Sequence, residues 1–242
     1  MTFTPVETVN PDSLPGVLIL ADHASNALPP EYGTLGLDES EFERHIAYDP
    51  GTAALARALA VRMNATAILS GFSRILIDPN RGEDDPTLVM RISDGAIVPG
   101  NRHIDEAEIE RRLDGFYRPY HDAIEAQIAR TVRPAILSLH SFTPQLRGRD
   151  PRPWHAGVLW TADEESARRL LDILRREEGL CVGENEPYRG GSPGDTLDRH
   201  AVRRDLPNLL IEIRNDLIAD EAGVAEWADR LAPAVREVFG TP

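Results

Sequence analysis

The sequence has a single cysteine, Cys181, and no lysine among its 242 residues. One thiol excludes an intrachain disulfide framework and a cysteine-rich zinc site. No apolar run approaches the length of a membrane span. The first residues, MTFTPVETVNPDSLPG, lack the basic and apolar pattern of a signal peptide, so a cytoplasmic location is expected. Positive charge is scarce: 26 arginines face 40 acidic residues, for a net charge of −14. That balance argues against nucleic acid and membranes as partners. The nucleophile elbow G-x-S-x-G, the P-loop and the dinucleotide fingerprint are all missing. The glycine-rich RGGSPGD (189–195) lacks the Lys and Ser/Thr that would handle phosphates, and reads as a flexible site loop.

What is present is an alternation of apolar strands and amphipathic helices. Strands are expected within 16–25, 66–81 (one or two), 134–141, 155–160 and 206–216. Helices are expected over 38–63 with a break near Pro50, over 105–130 as one long helix or two joined near Pro119, over 162–179 and over 220–239. This order predicts an α/β fold, a single domain over 1–242 with a mixed, mostly parallel central sheet and helices on both faces. Residues 1–15 are expected to form an irregular N-terminal arm. No repeat or linker interrupts the pattern, and oligomeric state is not encoded in any motif.

Four apolar strands end in polar residues of catalytic type: Asp22 and His23; Asp78, Asn80 and Arg81; His140 and Ser141; Glu212 and Arg214. In open α/β sheets the ligand crevice lies beyond the carboxyl ends of the strands. His23 and His140 are the natural metal pair, since imidazole is a common zinc ligand and a catalytic zinc usually has three protein ligands plus water. A third, carboxylate ligand would come from Asp22, Asp49 or Asp78, with Glu212 as general base on a water activated by the metal. A serine hydrolase reading of Ser141 is weak, because neighbours on a strand point to opposite faces.

Several of these segments together resemble the zinc carboxypeptidase superfamily. SLHSFTP is similar to the strand carrying its late zinc histidine, IDPNR to its D-x-N-R segment, and GGSPGD followed by LLIEIRND to its G-G-S-x-D loop and general-base strand. More closely, ADHASNALP, HIAYDPGT, SRILIDPNR, VPGN, YRPYH, LHSFTP, TLDRHA and IEIRND, in that order, resemble the N-formylglutamate amidohydrolase family. The resemblance implies a zinc-carboxypeptidase-like (phosphorylase/hydrolase-like) fold and a Zn2+-dependent hydrolase of the amide bond of an N-acyl amino acid, N-formylglutamate in the best-known case. It implies His23 and His140 as metal ligands, Glu212 as base and later proton donor, and Arg74 as the group that polarises the carbonyl or holds a carboxylate. Asn80 and Arg81 become carboxylate binders, and Asn26 and His200 are assigned to substrate contact. The superfamily's H-x-x-E pair is broken here, because Asn26 stands in the fourth position. The third ligand is then Asp49 in YDPG, ahead of Asn26 or Asp22. Two alternatives remain at this stage: a carboxypeptidase or other amidase on peptide-like substrates, and an inactive binding protein that keeps the pocket. His121 is expected to pack or to support a ligand, and His45 to share a helix face with Asp49.

Overall fold

Strands that are apolar at every position need cover on both faces, and the computed structural model, described over residues 3–13 and 16–240, supplies it. Its strands are β1 (Val6–Val9), β2 (Val17–Ala21), β3 (Thr66–Ser70), β4 (Ile92–Ser93), β5 (Ala96–Ile97), β6 (Ala135–Phe142), β7 (Ala156–Leu159), β8 (Val182–Glu184) and β9 (Asn208–Arg214). The helices are α1 (Thr52–Met63), α2 (Glu106–Arg112), α3 (Arg118–Arg130), α4 (Glu164–Leu174), α5 (Thr196–His200) and α6 (Glu221–Phe239). Seven strands form one sheet in the order β1-β3-β2-β6-β9-β7-β8, and β4 and β5 form a separate hairpin. Strands β3, β2, β6 and β9 run parallel, β1 and β7 antiparallel to their neighbours, and β8 parallel to β7. The expected mixed, mostly parallel sheet is therefore observed.

The period of two along each strand divides the core. Val17, Ile19, Ala21, Leu137 and Leu139 pack with α1, α4 and α6 through Leu55, Leu59, Leu170, Trp227 and Leu231. Leu18, Leu20, Ile68 and Ile136 pack on the opposite face with Tyr117, Tyr120 and Ile124. Helices α2, α4, α5 and α6 start where an aspartate side chain replaces a missing backbone partner: Asp163 accepts from Ser166 N ahead of α4, and Asp220 from Gly223 N ahead of α6.

Three local expectations are corrected. The arm expected over 1–15 contains β1, paired from Val6↔Ser70 to Val9↔Ala67; Val6 and Val9 find apolar neighbours on the two faces of the sheet. Residues 1, 2, 14 and 15 of that arm lie outside the described residues. The helix expected from residue 38 is only a 3-10 turn, Glu39–Glu43. After it, Ile46 and Ala47 turn into a small cluster with Leu35, Ile75 and Val98, so His45 is not on a helix. The apolar stretch Ile75–Ile77 is buried loop rather than a second strand. Side chains take the place of a neighbouring strand there: Asn101 Nδ2 donates to Ile75 O at 2.8 Å and the buried Arg112 donates to Leu76 O at 2.8 Å. The expected joint near Pro119 is a π-helical turn, Leu113–Tyr117, leading into α3. No helix among the described residues is long and apolar enough to cross a membrane.

Candidate metal centre

The carboxyl ends of β2, β6 and β9 meet at one edge of the sheet, and strand register decides which side chains touch. β6 and β9 pair with His140 opposite Glu212. β2 and β6 pair with Leu20 opposite Ser138. Continuing that register by two residues sets Asp22 against His140, and their contact, Oδ2 to Nε2, is 3.1 Å. Asp49 arrives from the turn before α1, where its backbone N–H donates to His23 O at 2.9 Å. Gly51, at φ +83°, makes the left-handed step that starts the helix; a Cβ there would lie 2.4 Å from Ile218 O.

The result is a buried cluster in which one donor atom each from His23, Asp49 and His140 lies within 4.8 Å of the others. Asp49 Oδ2 is 2.9 Å from His140 Nδ1, 3.4 Å from His23 Nδ1 and 3.2 Å from the Ser141 amide that donates to it. The far nitrogens are held too, His23 Nε2 by Asp78 Oδ1 at 2.8 Å and His140 Nε2 by Asp22 Oδ2 at 3.1 Å. A carboxylate only accepts, so Asp78 and Asp22 each take a proton from Nε2, and Nδ1 is the atom each ring turns to the cluster; His140 Nδ1 gives a second proton to Asp49, which a metal ion there would displace. Carboxylate, imidazole and an inward-facing nitrogen are the arrangement that orients histidine metal ligands. Ser141 is no nucleophile here, since its hydroxyl donates to Pro50 O at 2.8 Å.

Charge is concentrated. Asp22, Asp49, Asp78 and Glu212 are all buried. Burial opposes ionisation of Asp49, yet His23 and His140 hold its carboxyl far below the usual range. Burial likewise opposes the charged form of Asp78, and Arg74 and His23 overcome it. Arg74 donates to Asp78 Oδ2 through Nε at 3.1 Å and Nη2 at 2.7 Å, while Nη1 lies 3.3 Å from His23 Nδ1. Burial works against a charge on His140 as well, but bonds to Asp22 and Asp49 raise its pKa well above the usual value. Glu212 differs from the other acids: burial pushes its carboxyl up to about 7, and its Oε2 has no hydrogen-bond partner.

A cleft of about 440 Å³ opens over the cluster. It is lined by His23, Asp49, Arg74, His140, Glu212 and Arg81, together with His45, Asp94, Tyr188, Arg189, Ser192 and Asp195. The 189–195 loop therefore forms one wall. Three expected substrate contacts are not among the lining residues. Asn26 turns its amide to Phe42 O at 3.0 Å. Asn80 sits behind Arg81, its Oδ1 accepting from Thr196 N at 3.1 Å and its carbonyl from Arg81 Nη1 at 2.9 Å. His200 is fully buried, stacked on His121 with ring centroids 5.1 Å apart and bonded to it at 2.8 Å. Burial depresses the pKa of both rings to about 3. Sequence reasoning passed over Tyr120 and Thr196, whose hydroxyls both reach Asp22, although YRPYH and TLDRHA contain them.

A search of curated proteins finds no match. Among solved structures, the chain is similar to a gene product of Agrobacterium tumefaciens, with 36% identity and a TM-score of 0.91 over 98% of this chain and 95% of that one. It also shares the fold of an N-formylglutamate amidohydrolase from Ralstonia eutropha JMP134, at 23% identity and a TM-score of 0.72 over 98% of this chain and 97% of that one. The N-formylglutamate amidohydrolase family model matches residues 16–219, which span the three strand ends, the Asp49 turn and the loop that together build the cleft. By that match the chain belongs to the N-formylglutamate amidohydrolase family.

Proposed function

We propose that this protein is a zinc-dependent amidohydrolase that cleaves the amide bond of an N-acyl amino acid, with N-formylglutamate-like substrates preferred. The observation that carries this reading is the convergence of His23 Nδ1, His140 Nδ1 and Asp49 beside the unpartnered carboxylate oxygen of Glu212. The donor set fits zinc: two imidazole nitrogens oriented by carboxylates, one carboxylate, and a surplus of buried negative charge that a cation would balance. Asp49 supplies the carboxylate that the broken H-x-x-E pattern withholds, so Asn26 is not needed as a ligand. A zinc ion held by His23, Asp49 and His140 would supply Lewis-acid polarisation of the scissile carbonyl and of water.

The chain's own residues do the rest. Glu212 faces the cluster because its register partner is His140. Its carboxyl, raised to about 7 by burial, is matched to taking a proton from the attacking water near neutral pH. The same carboxyl then returns that proton to the leaving amine nitrogen. Arg74, anchored on Asp78 through Nε and Nη2, brings Nη1 to the cluster 3.3 Å from His23 Nδ1; with a metal on that nitrogen, Nη1 would turn to the oxygen on which negative charge develops. Arg81, braced on Thr87 Oγ1 and Asn80 O, holds the substrate's carboxylate. Arg74, Arg81 and Arg189 bring three guanidinium groups to one cleft, which suits a substrate with more than one carboxylate.

The test is elemental analysis of protein purified without chelators, followed by assays on N-formylglutamate, N-acetylglutamate and a glutamyl peptide. One equivalent of zinc and fastest release from the N-formyl compound are expected. Metal-free protein, or cleavage of the peptide alone, would overturn the reading.

A further inference from the structure

We propose that Tyr120 and Thr196 are positioning residues for the metal centre, acting through Asp22: their two hydroxyls occupy its Oδ1 and thereby hold Oδ2 on His140 Nε2. This inference rests on the zinc reading above and adds residues that touch neither metal nor substrate. Tyr120 Oη donates to Asp22 Oδ1 at 2.9 Å and Thr196 Oγ1 to the same oxygen at 2.7 Å, while Oδ2 meets His140 Nε2 at 3.1 Å. Asp22, Tyr120 and Thr196 are all fully buried, out of reach of bulk solvent. Thr196 has one proton to give. Its other contact, Pro79 O at 3.3 Å, is longer, and that carbonyl already accepts from His121 Nε2 at 3.1 Å. The hydroxyl proton therefore belongs to the carboxylate.

The fold is arranged to deliver this clamp. A wide turn inserts an extra residue into the helix, which rotates the face that follows by about 100°. The turn Leu113–Tyr117 stands directly before α3. From there Tyr117 reaches Arg81 O at 2.7 Å, Tyr120 reaches Asp22, and His121 reaches Pro79 O. Thr196 is the first residue of α5, immediately after the loop that walls the cleft. A buried carboxylate with one oxygen unpaired could turn that oxygen toward any nearby cation and release the imidazole it orients. With Oδ1 doubly bonded, Asp22 stays a partner of His140 and does not become a ligand itself. Partners of this outer kind are worth 10- to 100-fold in metal affinity.

The experiment uses the full chain carrying Tyr120→Phe, Thr196→Val, or both. Zinc affinity is measured by competition with a chromophoric chelator, and the His140 Nε2 proton is followed by NMR. Each single variant is expected to bind zinc roughly 10-fold more weakly and the double variant up to about 100-fold, with the Nε2 proton exchanging faster. Metal-free melting should change far less than affinity. Unchanged zinc affinity in all three overturns the proposal, and so does lost metal-free stability at unchanged affinity, the signature of a merely structural role. Thr196→Val carries the test alone if Tyr120→Phe does not fold. If the parent protein binds no zinc, the metal reading has failed; the clamp is then judged by the Nε2 proton of the metal-free chain, and fast exchange in the parent overturns it.

Discussion

Replacing Glu212 with glutamine separates the catalytic and the electrostatic consequences of one buried carboxyl. Glutamine keeps the shape but neither accepts a proton nor carries charge. Loss of a general base costs 10²- to 10⁴-fold in rate. The stability effect has the opposite sign. Burial raises the Glu212 carboxyl from an ordinary 4.5 to about 7. The folded state therefore binds more protons than the unfolded chain between those values, and the contribution of this group to stability falls as pH rises through the window. Each unit is worth about 1.4 kcal/mol, so the full penalty above pH 7 is on the order of 3 kcal/mol, and it vanishes below about pH 4. Metal-free Glu212→Gln should be more resistant to urea than the parent at pH 8 and no different at pH 4, while zinc-loaded variant hydrolyses N-formylglutamate at least 100-fold more slowly. Near-normal hydrolysis with zinc bound would refute the assignment of the base. Equal urea midpoints at pH 8 would refute the claim that the carboxylate is buried without compensation.

Three further outcomes follow from the same geometry. His140→Ala leaves Asp22 and Asp49 facing each other without their shared partner, so stoichiometric zinc should be lost by elemental analysis and metal-free stability should fall by about 3–5 kcal/mol. Arg81→Ala removes a charge-assisted contact worth about 1.5–3 kcal/mol, so KM for the N-acyl amino acid should rise roughly 10- to 100-fold with kcat much less affected. Gly51→Ala places a Cβ 2.4 Å from Ile218 O at a φ of +83°, which should cost several kcal/mol in denaturant unfolding and weaken zinc binding by displacing Asp49.

Much of the fold was legible because burial on both faces leaves a mark in composition. The segments of β2, β6 and β9 are buried at nearly every position and carry the apolar runs VLILA, AIL and LLI, and the closing helix has an apolar stripe with a capping Asp220. The short elements were not legible. β8 has three residues and α5 five, too few for any period to show, and Ile75–Ile77 has the composition of a strand but the bonding of a loop. The same contrast holds in the cleft. His23, His140 and Glu212 stood out as polar residues ending apolar runs, whereas His200 and Asn80 carried motif resemblance and yet face away from the cleft.

By itself, the sequence determined which chemistry was available: two strand-end histidines, a choice of aspartates, one glutamate on an apolar strand, arginines as the basic side chains, and too few thiols for a cysteine-rich zinc site. Tertiary structure decided how those groups were shared. Register between β2, β6 and β9 placed Asp22 behind His140 and Glu212 beside it, and the left-handed turn at Gly51 brought Asp49 into the cluster. Asp22, Asp49 and Asp78 are chemically alike in the sequence. Which one faces the inward nitrogens, and which two orient the rings from behind, depends on distances of a few ångströms between segments far apart in the chain, and only packing sets those distances.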